Sequence, residues 1–175
     1  MAGLYQVFLG CKREMFYPET MIWKLPPKIK IYEALGSIAD GRVHINGDTA
    51  KVYSSSGNKY YEVKYDPEAN SITANDNGSY WKGYLGYPLI AFLLLKGVIE
   101  YRQEDTEALR GIAWKDINTK FKNDFNKTIE HIHQKLKEKN INVQGLVKSV
   151  GEIYQQLKDK EFKKLGLTAK PPEGY

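Results

Sequence analysis

The chain has 175 residues, of which 42% are hydrophobic and 27% are charged, and its formal net charge is +5. This composition is typical of a globular protein and excludes a disordered tail. The single cysteine, Cys11, excludes an internal disulfide framework and a cysteine-rich metal site within one chain. We therefore expect no metal, no cofactor and a reducing, cytoplasmic location.

No secretory or membrane segment is predicted. The residues from Met1 to Lys12 lack a charged region followed by a long apolar run. The longest apolar run, from Pro88 to Leu95, is far shorter than the roughly 20 residues of a membrane helix. Few Cys and Met residues beside many Lys, Glu, Tyr and Ile residues are also compatible with a thermophilic source.

The predicted elements of the first half are a strand, a helix and a β-meander. Leu4 to Gly10 has the composition of a strand. Apolar residues at helical spacing predict a helix from Lys28 to Asp40, which Gly41 ends. From Arg42 to Ala74, alternation and turn residues predict about four short antiparallel strands. The strongest turn signal is Asn46-Gly47, since this pair accepts the positive φ angles of a type I′ hairpin.

Alternation within the meander predicts which side chains face the core. The inward face is predicted to consist of Ala50, Val52, Tyr61, Val63, Tyr65, Ile72 and Ala74. The apolar run that opens at Gly86-Tyr87-Pro88 predicts a helix that packs on this face and ends at Gly97.

The C-terminal part is predicted to be a long helical hairpin. Apolar side chains recur every three or four residues from Trp114 to Lys139, which predicts a helix of about 39 Å. A second apolar stripe runs from Leu146 to Phe162. Because the preceding body is small, we expect the hairpin to protrude or to pair with a second copy. The candidate oligomer interface consists of Phe121, Phe125, Ile132, Leu136, Val150 and Leu157.

Residues 51–97 resemble the SWIM family, which has a small zinc-centred ββα unit. The resemblance rests on the strand pair Lys51–Ser55 and Lys59–Tyr65, the piece Ser71–Ala74 and the helix that opens at Gly86. In that family the third piece carries Ser-Cys-x-Cys and the helix opens with Cys-x-His. The corresponding zinc positions in this sequence are Ile72, Ala74, Gly86 and Pro88.

None of the residues at these positions can hold zinc. The resemblance therefore implies a ββα fold without its metal, used for binding nucleic acid or other proteins. Apolar packing of Ile72 and Ala74 on Leu89, Ile90 and Leu93 would replace the ion, provided that the helix from Lys28 to Asp40 also covers the sheet.

Catalytic motifs are absent from the sequence. His131 and His133 are two residues apart on a predicted helix and cannot share one ion, and His44 stands alone on a short strand. There is no Gly-rich phosphate loop and no Gly-x-Ser-x-Gly elbow. We therefore expect a protein that is not an enzyme.

The charge and the aromatic residues point to a binding surface. Met1 to Ile112 carries 13 positive and 13 negative side chains, whereas Ala113 to Tyr175 carries 13 positive and 8 negative ones. Aromatic rings beside lysines suit stacked bases and a phosphate backbone. Lys-rich helices are also common solubilising surfaces, and tyrosine is common in strands. The candidate nucleic-acid-binding residues are Lys51, Tyr53, Lys59, Tyr60, Lys64, Tyr80, Trp81 and Lys82.

The sequence as a whole predicts an α+β fold. A small antiparallel β-meander packed by helices occupies residues 1–102, and a long C-terminal α-helical hairpin with a tail occupies residues 103–175. The predicted function is a binding module, for nucleic acid and in particular DNA. The alternative is a protein interaction or dimerisation factor that uses the helices between residues 114 and 165.

Overall fold

The computed structural model describes residues 22–173, which form an α+β fold. Its elements in chain order are α1 (Ile29–Ala39), β1 (Val43–Asn46), β2 (Thr49–Tyr53), β3 (Tyr60–Asp66), β4 (Ser71–Ala74), α2 (Tyr87–Leu95), α3 (Gln103–Ala108), α4 (Trp114–Lys120), α5 (Phe125–Glu138), α6 (Val143–Lys160) and β5 (Lys163–Lys164). A single π-helical turn, Gly78–Lys82, lies between β4 and α2. The predicted strand at Leu4–Gly10 and Cys11 lie outside the described residues.

The predicted meander is confirmed, and a fifth strand extends it. The strand order is β1-β2-β3-β4-β5, with antiparallel pairing from β1 to β4 and parallel pairing of β5 with β4. Alternation predicted the inward face correctly, because side chains on a strand point to opposite faces in turn. Of the seven predicted inward residues, Tyr65 is half-buried and the others are buried, namely Ala50, Val52, Tyr61, Val63, Ile72 and Ala74.

The hairpin turn between β1 and β2 differs from its prediction by one residue. Asn46 pairs with Thr49, so the two loop residues are Gly47 and Asp48 rather than Asn46 and Gly47. Gly47 has a φ of 60°, and Asp48 is not among the residues with positive φ. A positive φ at the first loop position alone is the pattern of a type II′ turn, which requires glycine there.

Helix α2 is the centre of the core because it is covered on both sides. It packs against β1, β3 and β4 on one side and against α1 on the other. Every residue from Pro88 to Leu94 is buried, which explains why the helix is apolar all round. The condition that α1 also covers the sheet is not met directly, since the main contacts of α1 are with α2, α3 and α6.

The predicted helix from Trp114 to Lys139 is two helices, α4 and α5. Lys122 and Asn123 have φ angles of 53° and 61°, and this left-handed backbone ends α4. The amide of Asn123 donates to the carbonyl of Asn118 at 2.8 Å, and that of Lys122 donates to Thr119 at 3.0 Å, which is a Schellman motif. The Asp124 side chain then accepts from the Lys127 amide at 3.2 Å and caps α5.

The hairpin of α5 and α6 packs on the rest of the chain, so the expectation that it protrudes is wrong. Its apolar stripes belong to the same continuous core as α1 and α2. The predicted oligomer interface is therefore largely occupied within the chain, because burying these side chains stabilises the monomer. Ile132, Leu136, Val150 and Leu157 are buried, and Phe121 and Phe125 are half-buried.

The end of the hairpin is joined to the sheet. After α6, Lys163 and Lys164 pair with Ser71 and Ile72 of β4. The indole nitrogen of the buried Trp23 donates to the carbonyl of Ile72 at 2.8 Å. Within residues 22–173, no helix combines the length and apolar character needed to cross a membrane.

Candidate functional site

The outward face of the sheet carries a row of aromatic rings. Tyr53 and Tyr60 are cross-strand partners whose ring centroids are 5.6 Å apart, and His44 lies 5.2 Å from Tyr53. The Nζ atom of Lys51 lies 4.6 Å from the centroid of the Tyr60 ring, within cation–π distance. Because alternation sends the buried side chains to the opposite face, these four groups lie on the side of the sheet away from α2.

The charge of this outward face is mixed. Lys51 and Lys64 are both exposed, and Lys64 pairs with Thr49 on one side and Thr73 on the other. The exposed carboxylate of Glu62 lies directly across from Lys51 in the register of β2 and β3. Glu62 therefore weakens the attraction of this face for a polyanion, and so does Asp66, which the alternation of β3 places on the same face.

The eight predicted nucleic-acid-binding residues occupy three places. Four of them, Lys51, Tyr53, Tyr60 and Lys64, share the outward face. The Nζ atom of Lys59 lies 5.4 Å from the ring of Tyr61, an inward residue, so Lys59 is separate from this group. The remaining three, Tyr80, Trp81 and Lys82, are on the π-helical turn.

A cleft of about 670 Å³ lies between the π-helical turn, α1, α4 and the loop after β2. Trp81 and Lys82 line it, and 65% of the Trp81 surface is exposed. Arg42 and Ser54 line both this cleft and a shallow depression beside His44 and Tyr53. The cleft and the outward face are therefore neighbours. Their boundary is the loop in which Ser55 Oγ accepts from the backbone amide of Lys115, at the start of α4.

The wall of the cleft contains a charged network that sequence reasoning missed. Lys30 Nζ lies 3.0 Å and 2.8 Å from the two carboxylate oxygens of Glu33, and Asn118 Nδ2 donates to Glu33 at 2.9 Å. Burial alone would lower the pKa of Lys30, but the Glu33 carboxylate outweighs that effect, and the pKa is raised. Lys30 is therefore a stable cation that neutralises Glu33.

A second buried group, Asp76, holds the π-helical turn in place. Its carboxylate accepts from the amides of Gly78 and Ser79 at 3.0 Å and 3.1 Å and makes a short hydrogen bond with the Ser79 hydroxyl. Burial raises the pKa of Asp76, although these hydrogen bonds and the charge of Lys30 lower it in part. This bonding fixes the backbone that presents Trp81 and Lys82.

Asp76 also fills the space of one position implied by the SWIM resemblance. A Cβ atom added at Gly86 would come within 2.5 Å of the Asp76 carboxylate carbon, so no side chain fits there. Ile72, Ala74 and Pro88 are buried in the apolar core. Within residues 22–173, no group of three or more His, Cys, Asp or Glu side chains is placed to hold a metal ion.

Buried polar atoms without a partner concentrate around the cleft. Among the described residues, five buried side-chain atoms lack a hydrogen-bond partner, and three of these belong to Arg42, Trp114 and Asn118, which line the cleft. The indole nitrogen of Trp114 faces α1, since a Cβ atom added at Gly36 would lie 2.7 Å from it. The unpartnered Nη2 of Arg42 and Oδ1 of Asn118 are one donor and one acceptor. Unsatisfied buried groups of this kind are uncommon in proteins, and a bound water, ion or ligand is one of the ways in which they are satisfied.

The cleft could be found only in part from the sequence. The sequence offered one indication of the cleft, which was not used above: Lys30 and Glu33 are a charged pair three residues apart in a largely apolar helix. The other side of the wall comes from Asn118, 85 residues away from Glu33. No local pattern predicts that these residues meet.

Comparison with protein families places the whole fold in one family. Residues 23–163 match the family described as "Uncharacterised conserved protein UCP014422". Comparisons with curated proteins and with solved structures found no match. The matched range contains both the sheet and the helical hairpin, and it covers 141 of the 175 residues. The chain therefore belongs to this family of uncharacterised conserved proteins.

Proposed function

We propose that the protein binds single-stranded nucleic acid on the outward face of its sheet. The observation that carries the proposal is the Tyr60 ring, which is 38% exposed and has both the Tyr53 ring and the Lys51 ammonium group as neighbours. An exposed ring is a platform for an unpaired base, and a neighbouring lysine suits the adjoining phosphate. The resemblance of residues 51–97 to the SWIM family is a second reason to choose nucleic acid as the ligand.

The geometry favours a single strand over a duplex. A sheet face with exposed rings can stack only bases whose faces are free, and a duplex hides these faces inside its own stack. A duplex would have to be bound through phosphate contacts, for which this face offers Lys51 and Lys64 opposed by Glu62. The alternative function, an interaction through the C-terminal helices, is less well supported, because the candidate interface residues Ile132 and Leu157 are buried within the chain.

The test is fluorescence anisotropy with a labelled 20-nucleotide single strand and with a duplex of the same sequence. We expect the single strand to bind more tightly and its affinity to fall as salt rises. Tyr60→Ala should weaken binding about 5- to 150-fold, the range of one lost stacking contact. Tyr60→Phe is the matched control, because it keeps the ring.

The charge variants sharpen this test. Glu62→Gln should strengthen binding, since it removes the exposed carboxylate directly across from Lys51, whereas Lys51→Ala should weaken binding and make it less dependent on salt. Lys158→Ala, at an exposed site on α6, should change neither property. The proposal fails if no strand binds at low salt, if the duplex binds better, or if Tyr60→Ala and Tyr60→Phe behave alike.

A further inference from the structure

We propose that the cleft between the π-helical turn, α1 and α4 binds one nucleotide unit, which is a planar base joined to a phosphate. This site is distinct from the outward face, where Tyr60 would stack bases. The choice of a nucleotide over another aromatic anion rests on the proposed function of that face, since the two surfaces adjoin at Arg42 and Ser54.

The size and the walls of the cleft suit a planar ring. Its volume of about 670 Å³ lies within the range of roughly 300 to 1,000 Å³ that is usual for small-molecule sites. Six of its lining side chains are aromatic: Tyr61, Trp81, Tyr84, Tyr87, Trp114 and Phe125. Trp81 is the most exposed of them, so its ring is accessible to an incoming base even though it also contacts the Tyr80 ring at 4.7 Å.

The charge of the cleft selects an anion. Among the described residues, four cationic side chains line it, namely Lys30, Arg42, Lys82 and Lys115, of which Lys30 is paired with Glu33 and Arg42 with Asp40. Lys30 and Asn118 already bind the Glu33 carboxylate. Lys82 is exposed and adjoins Trp81 in the chain, so a ring stacked on Trp81 would carry its phosphate close to this ammonium group.

Besides the indole nitrogen of Trp114, two polar atoms of the described lining lack a hydrogen-bond partner within the protein. Arg42 uses Nη1 for the carbonyl of Tyr53 and Nε for Asp40, and its Nη2 has no partner. Asn118 must direct its Nδ2 at Glu33, because an ionised carboxylate only accepts hydrogen bonds, and its Oδ1 is left as a free acceptor. Both atoms are covered by protein, so the lining has to shift slightly before a base can reach them.

The test is isothermal titration calorimetry of the full chain at low salt with uridine and adenosine monophosphates, the matching nucleosides and inorganic phosphate. We expect a monophosphate to bind at least tenfold more tightly than its nucleoside and than phosphate alone. Trp81→Ala and Lys82→Ala should each weaken monophosphate binding at least fivefold. Both residues are exposed, so the variants should fold, which circular dichroism checks.

Three controls separate this inference from the proposed function. Trp81→Phe should keep most of the affinity for monophosphate, and Lys158→Ala should keep all of it. Tyr60→Ala should leave monophosphate binding unchanged while it weakens binding of the strand. The inference is overturned if the monophosphates give no heat at millimolar concentration, if phosphate alone binds as well, or if Lys82→Ala has no effect.

Binding of single strands with and without a 5′ phosphate shows whether the cleft binds the end of a strand or a free nucleotide. If the cleft takes the end of a strand, the phosphorylated strand should bind more tightly and should compete with the monophosphate. If it takes a free nucleotide, the two strands should bind equally, and the monophosphate should still bind beside them. Either result supports a nucleotide site in the cleft, provided that Lys82→Ala weakens monophosphate binding at least fivefold.

Discussion

Gly86 does not line the cleft, but the structure of the cleft depends on its lack of a side chain. The residue precedes α2, and its missing side chain leaves the space that the buried Asp76 carboxylate occupies. That carboxylate in turn bonds the amides of Gly78 and Ser79 and so holds the π-helical turn. The position of Trp81 and Lys82 at the cleft therefore depends on a residue that has no functional group.

We predict that Gly86→Ala destabilises the protein by about 3 kcal/mol. Overpacking a buried site costs about 1 to 3 kcal/mol, and displacing a buried carboxylate from its hydrogen bonds adds to that cost. The free energy of unfolding in urea measures the effect. Gly151→Ala on α6 is the control, because nothing lies within 4 Å of its added Cβ atom and the change should stabilise the helix. Equal effects of the two substitutions would contradict the packing described at Gly86.

At the scale of elements, the break between α4 and α5 brings both helices to the cleft. Asn118 of α4 and Phe125 of α5 both line it, and the chain turns between them through the left-handed residues Lys122 and Asn123. Lys122 occupies the position of a Schellman motif that is usually glycine. The left-handed backbone of Lys122, which is unfavourable for lysine, therefore strains the chain at the end of α4.

We predict that Lys122→Gly stabilises the protein by about 0.5 to 1 kcal/mol. Glycine removes the cost of about 1 to 2 kcal/mol for a left-handed residue, and this gain exceeds the added entropy of the unfolded chain. Lys120→Gly is the matched control, because Lys120 is helical and the same substitution should destabilise there by about 1 kcal/mol. Urea unfolding of both variants checks the contrast. Destabilisation by Lys122→Gly would mean that residue 122 is not left-handed.

The same break explains what the sequence could and could not predict. Period-two alternation is a local property of a strand, and it identified the buried residues from Ala50 to Ala74 almost completely. Apolar spacing failed at the break because Phe121 and Phe125 keep a helical interval of four residues across it. The usable signal was Asn123-Asp124, since these residue types favour left-handed turns and helix N-caps.

At the scale of the whole molecule, the C-terminal hairpin and α1 form one folded unit. The Tyr32 hydroxyl of α1 lies 2.9 Å from Nε2 of His133 on α5, and the two rings are in contact at 5.6 Å. Neither the sheet pattern nor the hairpin pattern could predict this pair, since the two residues are 101 positions apart. The wrong expectation of a protruding hairpin has the same origin, because helix stripes show which face is apolar but not what covers it.

The burial of Tyr32 and His133 makes stability depend on pH at both ends of the range. Burial lowers the pKa of His133, and Lys137 lowers it further, so below a pH of about 6.5 the unfolded chain binds more protons than the folded one. Stability should therefore fall as the pH drops through this range. Burial also raises the pKa of Tyr32 to about 12, so stability should fall again as the pH rises from about 10 to that value.

The test at the acidic end compares melting temperatures between pH 7.5 and pH 5. We predict that His133→Gln loses less thermal stability over this interval than the natural chain, because glutamine does not titrate and its carbonyl can still accept from Tyr32. His44→Gln, at an exposed position on β1, should show the full loss. If all three proteins lost the same number of degrees, the proton taken up on unfolding would not belong to His133. The contact between α1 and α5 would then add nothing to the acid sensitivity of the fold.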